Sequence, residues 1–240
     1  WLGHKVRLTT ASKRPAHAEL FGPGPVVAVL HVEGTMSDGD SLEIPLVGSK
    51  LAGSRTLVRQ IDALREDRRV KAVVVRIDSP GGSVAAAEAM TRALERTAKV
   101  KPVVVSMGNV AASGGYYVAA AADKIYADKG SLVGSIGVRM DGFGFVDTMQ
   151  KLGVERRLFT AGENKGMLDP FSPQNEKHKA YAKAMIDQIH QQFIGVVKAG
   201  RGDRLKPTPE TFSGLFWTGQ QAIEMGLADK LWLLLWARRR

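Results

Sequence analysis

Residues 70 to 107 read VKAVVVRIDSPGGSVAAAEAMTRALERTAKVKPVVVSM, and they contain one strand–helix–strand unit. Val70–Ile77 is a nearly continuous apolar run, which is typical of a strand covered on both faces. Val84–Thr97 has apolar residues along one face, as an amphipathic helix requires. Val103–Met107 is a second β-branched run, so the stretch predicts two parallel strands joined by a helix.

The same alternation continues on both sides of this unit. Val26–Val32 predicts an earlier buried strand, and Ser54–Arg69 predicts the helix that follows it. A helix rich in small residues is predicted from about Ala112 to Ala122. This order indicates βαβ units in a single α/β domain. Further along the chain the pattern predicts helices over 145–152, 173–199 and 220–225 and a strand over 155–159.

By composition the chain divides into three segments. Residues 1–25 are basic and end in Gly22-Pro23-Gly24-Pro25, which predicts an N-terminal tail or linker. Residues 26–231 form the predicted domain, and residues 232–240 a basic C-terminal tail. No apolar run reaches the roughly 18 to 20 residues that span a bilayer. Because the chain begins with Trp1, we expect sequence upstream, where a signal peptide or an anchor could lie.

The charge distribution bears on possible partners. The 240 residues include 34 Lys and Arg against 24 Asp and Glu, a net charge of +10. The excess is spread along the chain without the basic stripe of a nucleic-acid binder, so no nucleic acid is expected as a partner. A solvated basic surface is one interpretation, and attraction to an anionic membrane surface is the other. Because there is no cysteine, disulfides and thiolate nucleophiles are excluded.

Two loops that follow predicted strands contain residues suited to catalysis. In Asp78-Ser79-Pro80-Gly81-Gly82, adjacent glycines let backbone N–H groups approach a ligand. Such amides suit an oxyanion hole, although the stretch also fits a plain strand-to-helix turn. In Asn109–Tyr117, Ser113 lies among small residues at the start of a predicted helix. Ser113 is therefore either a nucleophile or a helix N-cap.

A serine nucleophile needs a base. The histidines lie in the predicted tail, in the first strand or on the long helix, and none follows a strand as catalytic side chains in α/β sheets do. The loop Thr160–Pro170 contains Lys165, which is either an exposed loop lysine or a base. A lysine acts as a base near neutral pH only where burial lowers its pKa by several units from about 10.4. The histidines are His4, His17, His31, His178 and His190.

Other catalytic templates do not occur in the sequence. There is no Gly-x-Ser-x-Gly elbow, no Ser-x-x-Lys, no Walker loop and no His-Glu-x-x-His. Gly142-Phe143-Gly144 lacks the third glycine of a dinucleotide loop. No metal and no cofactor is therefore expected.

Five short motifs occur in order and together resemble the signal peptide peptidase A family of serine proteases. Each motif is weak alone, whereas the ordered set, with 52 residues from Ser113 to Lys165, is strongly specific. The resemblance runs from about Val26 to Leu231. The motifs are Ser79–Gly82, Ala111–Tyr117, Ala122–Ile125, Gly134–Val138 and Ala161–Lys165.

The resemblance implies a fold and a set of site residues. The implied fold is Clp protease/crotonase-like, an α/β spiral of βαβ units. By position, Ser113 is the implied nucleophile and Lys165 the implied general base. The amides of Gly82 and Gly114 form the implied oxyanion hole, and Ser135 is the hydroxyl that orients the lysine.

The resemblance also implies a setting for this chemistry. The implied substrates are remnant signal peptides and other apolar membrane-derived peptides. The implied location is the inner membrane, with the domain on the periplasmic side, although the family's usual transmembrane anchor has no match in this sequence. Family members of this size form rings, so we expect a homo-oligomer in which neighbouring subunits supply Ser113 and Lys165.

Two other enzymes of the same fold are the alternatives. A Clp-type protease uses a histidine shortly beyond its serine, and no histidine lies between Ser113 and His178. A crotonase-fold acyl-CoA enzyme would place acidic residues near the second oxyanion amide. This loop has Ala111 and Ala112 there.

Overall fold

The computed structural model describes residues 7–10, 24–44 and 48–232. The N-terminal tail predicted over 1–25 lies outside them, except for residues 24 and 25 and a strand over Arg7–Thr10. The predicted C-terminal tail also lies outside them beyond Trp232. The chain separates into two compact units, one drawn from 1–137 and 193–240 and the other from 138–192. Each is described by itself.

Strands and helices alternate through much of the described chain. Within it, no helix combines the length and the hydropathy that a membrane-spanning segment needs. The strands are β1 Arg7–Thr10, β2 Val26–Glu33, β3 Thr35–Ser37, β4 Leu42–Ile44, β5 Ser49–Gly53, β6 Val70–Ser79, β7 Val103–Ala112, β8 Lys124–Ala127, β9 Leu132–Gly134, β10 Phe216–Thr218 and β11 Lys230–Leu231. The helices are α1 Ser54–Glu66, α2 Val84–Ala98, α3 Gly114–Ala119, α4 Val146–Lys151, α5 Glu176–Arg201 and α6 Gly219–Glu224, with a 3-10 turn at Gly202–Arg204.

The first unit is built around a mainly parallel sheet. Its strand order is β1-β2-β6-β7-β8-β11, and β9 pairs with both β7 and β10. Every pairing is parallel except that of β9 with β10. Strands β3, β5 and β4 form a separate three-stranded sheet. The predicted α/β fold of parallel strands and crossover helices is therefore confirmed.

The strand–helix–strand unit at the centre of the sequence forms the core of the sheet. In β6, Val75 and Ile77 are fully buried, and in α2 so are Met90 and Leu94. Ser83 begins α2 by accepting a hydrogen bond from the Ala86 N–H on its side chain. Each buried aliphatic side chain of this kind contributes about 1.5 to 3 kcal/mol through the hydrophobic effect, so this segment stabilises the whole sheet.

The strand that leads into the second loop is longer than predicted. β7 continues to Ala112 instead of ending at Met107, and α3 begins at Gly114 instead of Ala112. The extension exists because Val110, Ala111 and Ala112 pair with β9. One valine and two alanines do not by themselves predict that the strand continues to Ala112. The extension of the strand therefore depends on its pairing with β9.

A buried ion pair ties the end of α5 to the last part of the chain. Arg201 is fully buried, and its guanidinium donates to the Gly226 carbonyl at 2.7 Å and to the Asp229 carboxylate at 3.1 Å. Asp229 also accepts the Ile125 N–H at 2.7 Å. Burial by itself would raise the pKa of Asp229, but the hydrogen bonds from Arg201 and Ile125 and the nearby positive charge outweigh it and lower that pKa.

The second unit contains α4, a long loop and the first part of α5. The strand predicted over 155–159 was wrong, because these residues adopt no regular structure and are exposed. A strand needs a hydrogen-bonded partner, and the described residues of this unit include no strand to pair with. α5 begins later than predicted, at Glu176, where the Asn175 side chain accepts the Lys177 N–H at 2.8 Å.

Candidate active site

Ser113 lies in a sharp turn between β7 and α3. Its backbone has φ 51° and ψ −124°, a conformation that residues other than glycine seldom adopt. Its side chain makes no capping hydrogen bond to the helix, so the N-cap interpretation is not supported. The residue is half-buried, between fully packed neighbours at Ala112 and Gly114. A strained strand-to-helix turn of this kind presents a nucleophilic hydroxyl away from the backbone.

The first glycine loop packs directly against this turn. A Cβ placed on Gly81 would lie 2.5 Å from the Gly114 nitrogen and 2.9 Å from the Ser113 Cβ. Gly81 also has φ 93°, which favours glycine. The structure thus brings the 78–82 loop and the 109–117 loop together, because the strands that lead into them, β6 and β7, are adjacent in the sheet.

Two backbone N–H groups of these loops, those of Gly82 and Gly114, have no hydrogen-bond acceptor in the described part of the chain. A Cβ on Gly82 would lie 2.2 Å from the Met36 carbonyl oxygen, so only glycine fits there. In general, unpaired backbone amides close to a nucleophilic serine can stabilise the negative oxygen of a tetrahedral intermediate.

Ser135 follows β9 as Ser113 follows β7. The last residues of the two strands, Ala112 and Gly134, are paired, and the Ser113 N–H donates to the Gly134 carbonyl at 2.8 Å. The Ser135 N–H donates to the Leu215 carbonyl at 2.8 Å. Ser135 is half-buried and, like Ser113, has a positive φ, of 50°. Two hydroxyl-bearing residues therefore lie on neighbouring strand ends.

Lys165 belongs to the second unit. It lies in a turn in which its N–H donates to the Gly162 carbonyl at 3.1 Å, and its side chain is exposed. Its neighbours bind the start of α5: Glu163 pairs with Lys177 at 3.0 Å and Asn164 with His178 at 3.1 Å. Those contacts define the turn, while the ammonium of Lys165 has no ion pair with any described residue. Ser113, Gly82, Gly114 and Ser135 belong to the first unit, and Lys165 belongs to the second.

The histidines do not offer an evident base. Only His31 lies in the described part of the first unit, and its ring is hydrogen-bonded to the Glu33 carboxylate at 3.0 Å. His178 bonds to Asn164, and His190 lies on α5 in the second unit. His4 and His17 lie outside the described residues.

Two residues that support the loops were missed in the sequence. The Asp78 carboxylate accepts the Val110 N–H at 3.1 Å and the Asn109 side-chain amide at 3.3 Å, and so joins the two loops. Because Asp78 directly follows the strand predicted over Val70–Ile77, its position in the sequence could have marked it as a residue of the site. Met36 of β3 pairs with Gly82 through an isolated β-bridge. No local signal marked Met36, because the bridge spans two segments far apart in sequence.

Sequence comparisons place the chain among known proteases. The model of peptidase family S49 matches residues 95–238, which is more than half of the chain. The Clp protease model matches residues 47–128, a stretch that includes Gly82, Ser113 and Gly114.

Similar proteins include "Protease 4" of Haemophilus influenzae, 34% identical over 218 residues that cover 90% of this chain and 34% of that protein. "Serine protease SPPA, chloroplastic" of Arabidopsis thaliana is 35% identical over 177 residues, 72% of this chain and 26% of that protein. A Brucella abortus protein named "Na(+)/H(+) antiporter NhaA" is 41% identical over 208 residues, 85% of this chain and 27% of that protein. The chain thus spans about a quarter to a third of the length of these relatives.

Proposed function

Because the chain belongs to peptidase family S49, which confirms the resemblance found in its motifs, we propose that it is a serine peptidase with Ser113 as nucleophile. One observation supports this assignment above the others. Ser113 occupies a strained turn without a capping bond, and Gly81 of the glycine loop packs against the Gly114 nitrogen and the Ser113 Cβ. A serine with a purely structural role would not need this arrangement.

In the proposed mechanism the Ser113 Oγ attacks the scissile carbonyl carbon while its proton passes to a base. The carbonyl oxygen becomes negative and accepts hydrogen bonds from the Gly82 and Gly114 N–H groups. The C–N bond then breaks, the amine leaves with the proton, and an acyl-serine remains that water hydrolyses. Each amide donor of this kind is worth about 10²- to 10³-fold in rate.

Lys165 is the proposed base, and the Ser135 hydroxyl is proposed to orient its amine toward Ser113. The motif Ala161–Lys165 supports this assignment. A lysine must be unprotonated to accept the proton, which requires removal from water. Because the Lys165 side chain is exposed in a single chain, the proposal needs a substrate or a second subunit to cover it.

A homo-oligomeric ring is proposed as the active assembly, with neighbouring subunits contributing Ser113 and Lys165. The second unit supports it by exposing large apolar side chains: Phe143 is 80% exposed, Phe159 91% and Leu152 72%. Phe143, Phe145 and Phe171 are exposed and form a contiguous row, with ring centroids 6.3 Å and 5.4 Å apart. A contiguous exposed apolar patch marks an interaction surface.

The proposed substrates are apolar peptides such as remnant signal peptides, cleaved on the outer side of the inner membrane. Exposed apolar side chains next to Ser135 support this class, since Leu215 and Phe216 are 50% and 56% exposed. A net charge of +10 supports a location near an anionic membrane surface.

The decisive experiment is labelling with a fluorophosphonate probe, followed by mass spectrometry to locate the adduct. We expect the adduct on Ser113, and no labelling of Ser113→Ala. Ser213→Ala is the matched control, because Ser213 is an exposed loop serine of the same unit and should not affect labelling. An adduct on another serine, or none on the wild-type chain, would contradict the proposal.

A further inference from the structure

The loop that presents the Gly82 amide is held on both sides by β3. The Met36 N–H donates to the Gly81 carbonyl at 2.8 Å, and the Ser83 N–H donates to the Met36 carbonyl at 3.0 Å. These two bonds pair the Gly81 carbonyl and the Ser83 N–H, on either side of Gly82, and leave the Gly82 N–H without an acceptor among the described residues. Met36 is itself buried, with 2% of its surface exposed, so this strand is anchored in the core.

The Ser79 hydroxyl supplies the third bond to the loop. It accepts the Gly81 N–H at 3.1 Å and donates to the Gly34 carbonyl at 2.6 Å. Ser79 is fully buried. One hydroxyl therefore links the glycine loop to the turn between β2 and β3, the same turn that leads to Met36.

Ser79 also contacts the segment after the nucleophile. A Cβ placed on Gly115 would lie 2.7 Å from the Ser79 carbonyl oxygen, so the start of α3 packs against the Ser79 backbone. The residue thus lies where three segments meet: the β2–β3 turn, the glycine loop and the helix that follows Ser113. A substitution at Ser79 would therefore affect the positions of both proposed oxyanion-hole amides, those of Gly82 and Gly114.

We propose that Ser79 is a positioning residue, whose hydroxyl holds the Gly81–Gly82 loop in the arrangement that leaves the Gly82 N–H available to the oxyanion. The inference rests on the proposed peptidase function. Ser79 touches neither the substrate nor the reacting atoms, and it acts through Gly81. The hydrogen bonds form within one chain, so the loop is set before substrate binds.

Ser79→Ala removes both hydrogen bonds and leaves the Gly81 N–H and the Gly34 carbonyl without these partners. We expect kcat to fall about 10- to 100-fold with little change in KM, because the loop contributes only when negative charge develops on the substrate oxygen. Binding of a peptide aldehyde should weaken by a similar factor, since its hemiacetal oxygen occupies the oxyanion hole. Binding of the corresponding peptide alcohol, which forms no oxyanion, should not change.

The matched control is Thr97→Val. The Thr97 hydroxyl is buried and donates to the Ala93 carbonyl at 2.9 Å within α2. This variant removes a buried hydroxyl of the same unit outside the glycine loop, so kcat and aldehyde binding should stay at wild-type values. Ser79→Cys keeps one group that can donate and accept at this position, although the sulfur is larger and is a weaker donor and acceptor, and its kcat should fall between those of the wild type and Ser79→Ala.

The outcomes separate this inference from the peptidase assignment. If the wild type hydrolyses peptides and Ser79→Ala or Ser79→Cys matches it in kcat and aldehyde affinity, the positioning role is wrong and the peptidase stands. Equal weakening of aldehyde and alcohol binding would also overturn it, because a general loss of structure affects both ligands. Should Ser79→Ala fail to fold, the Ser79→Cys measurement decides alone. A wild-type chain that neither hydrolyses peptides nor takes the fluorophosphonate on Ser113 would overturn both proposals.

Discussion

Ser113 and Ser135 occupy corresponding positions at the ends of two adjacent parallel strands. Each follows the last residue of its strand, and these last residues, Ala112 and Gly134, are paired. Each also has a positive φ, 51° for Ser113 and 50° for Ser135. Residues other than glycine in such sparsely populated conformations cost about 1 to 3 kcal/mol each. Two strained serines side by side are consistent with a site in which both hydroxyls have a function.

The backbone of Ser113 leads to a prediction about stability. Ser113→Gly should abolish hydrolysis and raise the free energy of unfolding by about 1 kcal/mol, because glycine adopts this conformation without strain. Ser113→Ala should be equally inactive but within about 0.5 kcal/mol of the wild type, since no capping bond is lost. Denaturant unfolding and peptide hydrolysis measure the two effects. Wild-type hydrolysis by either variant would disprove the nucleophile.

The role of Lys165 predicts a pH dependence. Only the neutral amine accepts a proton, so kcat/KM of the wild type should rise with pH. Lys165→Ala should be inactive at every pH, and Lys165→Arg should be too, because a guanidinium stays protonated. Lys183→Ala is the control, as Lys183 is an exposed lysine of the same unit that pairs with Asp187 on α5 and not with the turn around Lys165. An unchanged pH profile in Lys165→Ala would rule out the dyad.

Ser135 can be tested for a hydroxyl effect separate from its backbone. Ser135→Ala should lower kcat/KM about 10- to 100-fold, since a hydrogen bond worth about 1 kcal/mol and the orientation of the lysine are lost together. Ser135→Gly removes the hydroxyl but accommodates the positive φ. Equal losses in both variants identify the hydroxyl as the cause. Full activity in Ser135→Ala would make the residue purely structural.

The proposed ring predicts complementation between inactive chains. If Ser113 and Lys165 of one site come from different subunits, Ser113→Ala and Lys165→Ala should regain activity when co-assembled. Random mixing at equal ratio should restore about a quarter of the sites. At each interface the chance of an intact Ser113 is one half and the chance of an intact Lys165 is one half, and the two are independent. Light scattering should show oligomers of one size in each sample. Co-assembled oligomers that remain inactive would place both residues of a site in one subunit.

The buried pair of Arg201 and Asp229 predicts how stability changes with pH. Because the folded-state pKa of Asp229 is lowered, its contribution is complete above the unfolded-state value of about 4 and is lost as the pH falls through the folded-state value. Asp229→Asn should therefore lower the free energy of unfolding by about 3 kcal/mol at neutral pH, since it leaves a buried guanidinium without its counter-ion. The difference from the wild type should shrink in acid. A constant difference across the range would show that the charge is not the cause.

The sequence alone determined the central α/β fold and the two loops of the candidate site. The apolar runs at Val70–Ile77 and Val103–Met107 and the amphipathic helix between them are local patterns, and burial follows directly from them. The glycines of 78–82 and the small residues around Ser113 marked the strand-to-helix turns for the same reason. That the two loops lie next to each other was not predicted, because it depends on the pairing of β6 with β7 in the sheet.

Only the tertiary structure decided which of these residues lie side by side. The pairing of β7 with β9 extended the strand to Ala112 and brought Ser135 beside Ser113, and the β-bridge from Met36 set the loop around Gly82. The strand expected over 155–159 had the right local composition but no partner in its unit. Local periodicity reports which side chains can be buried. Hydrogen bonding between segments far apart in sequence depends on the packed chain, so it is decided only when the chain folds.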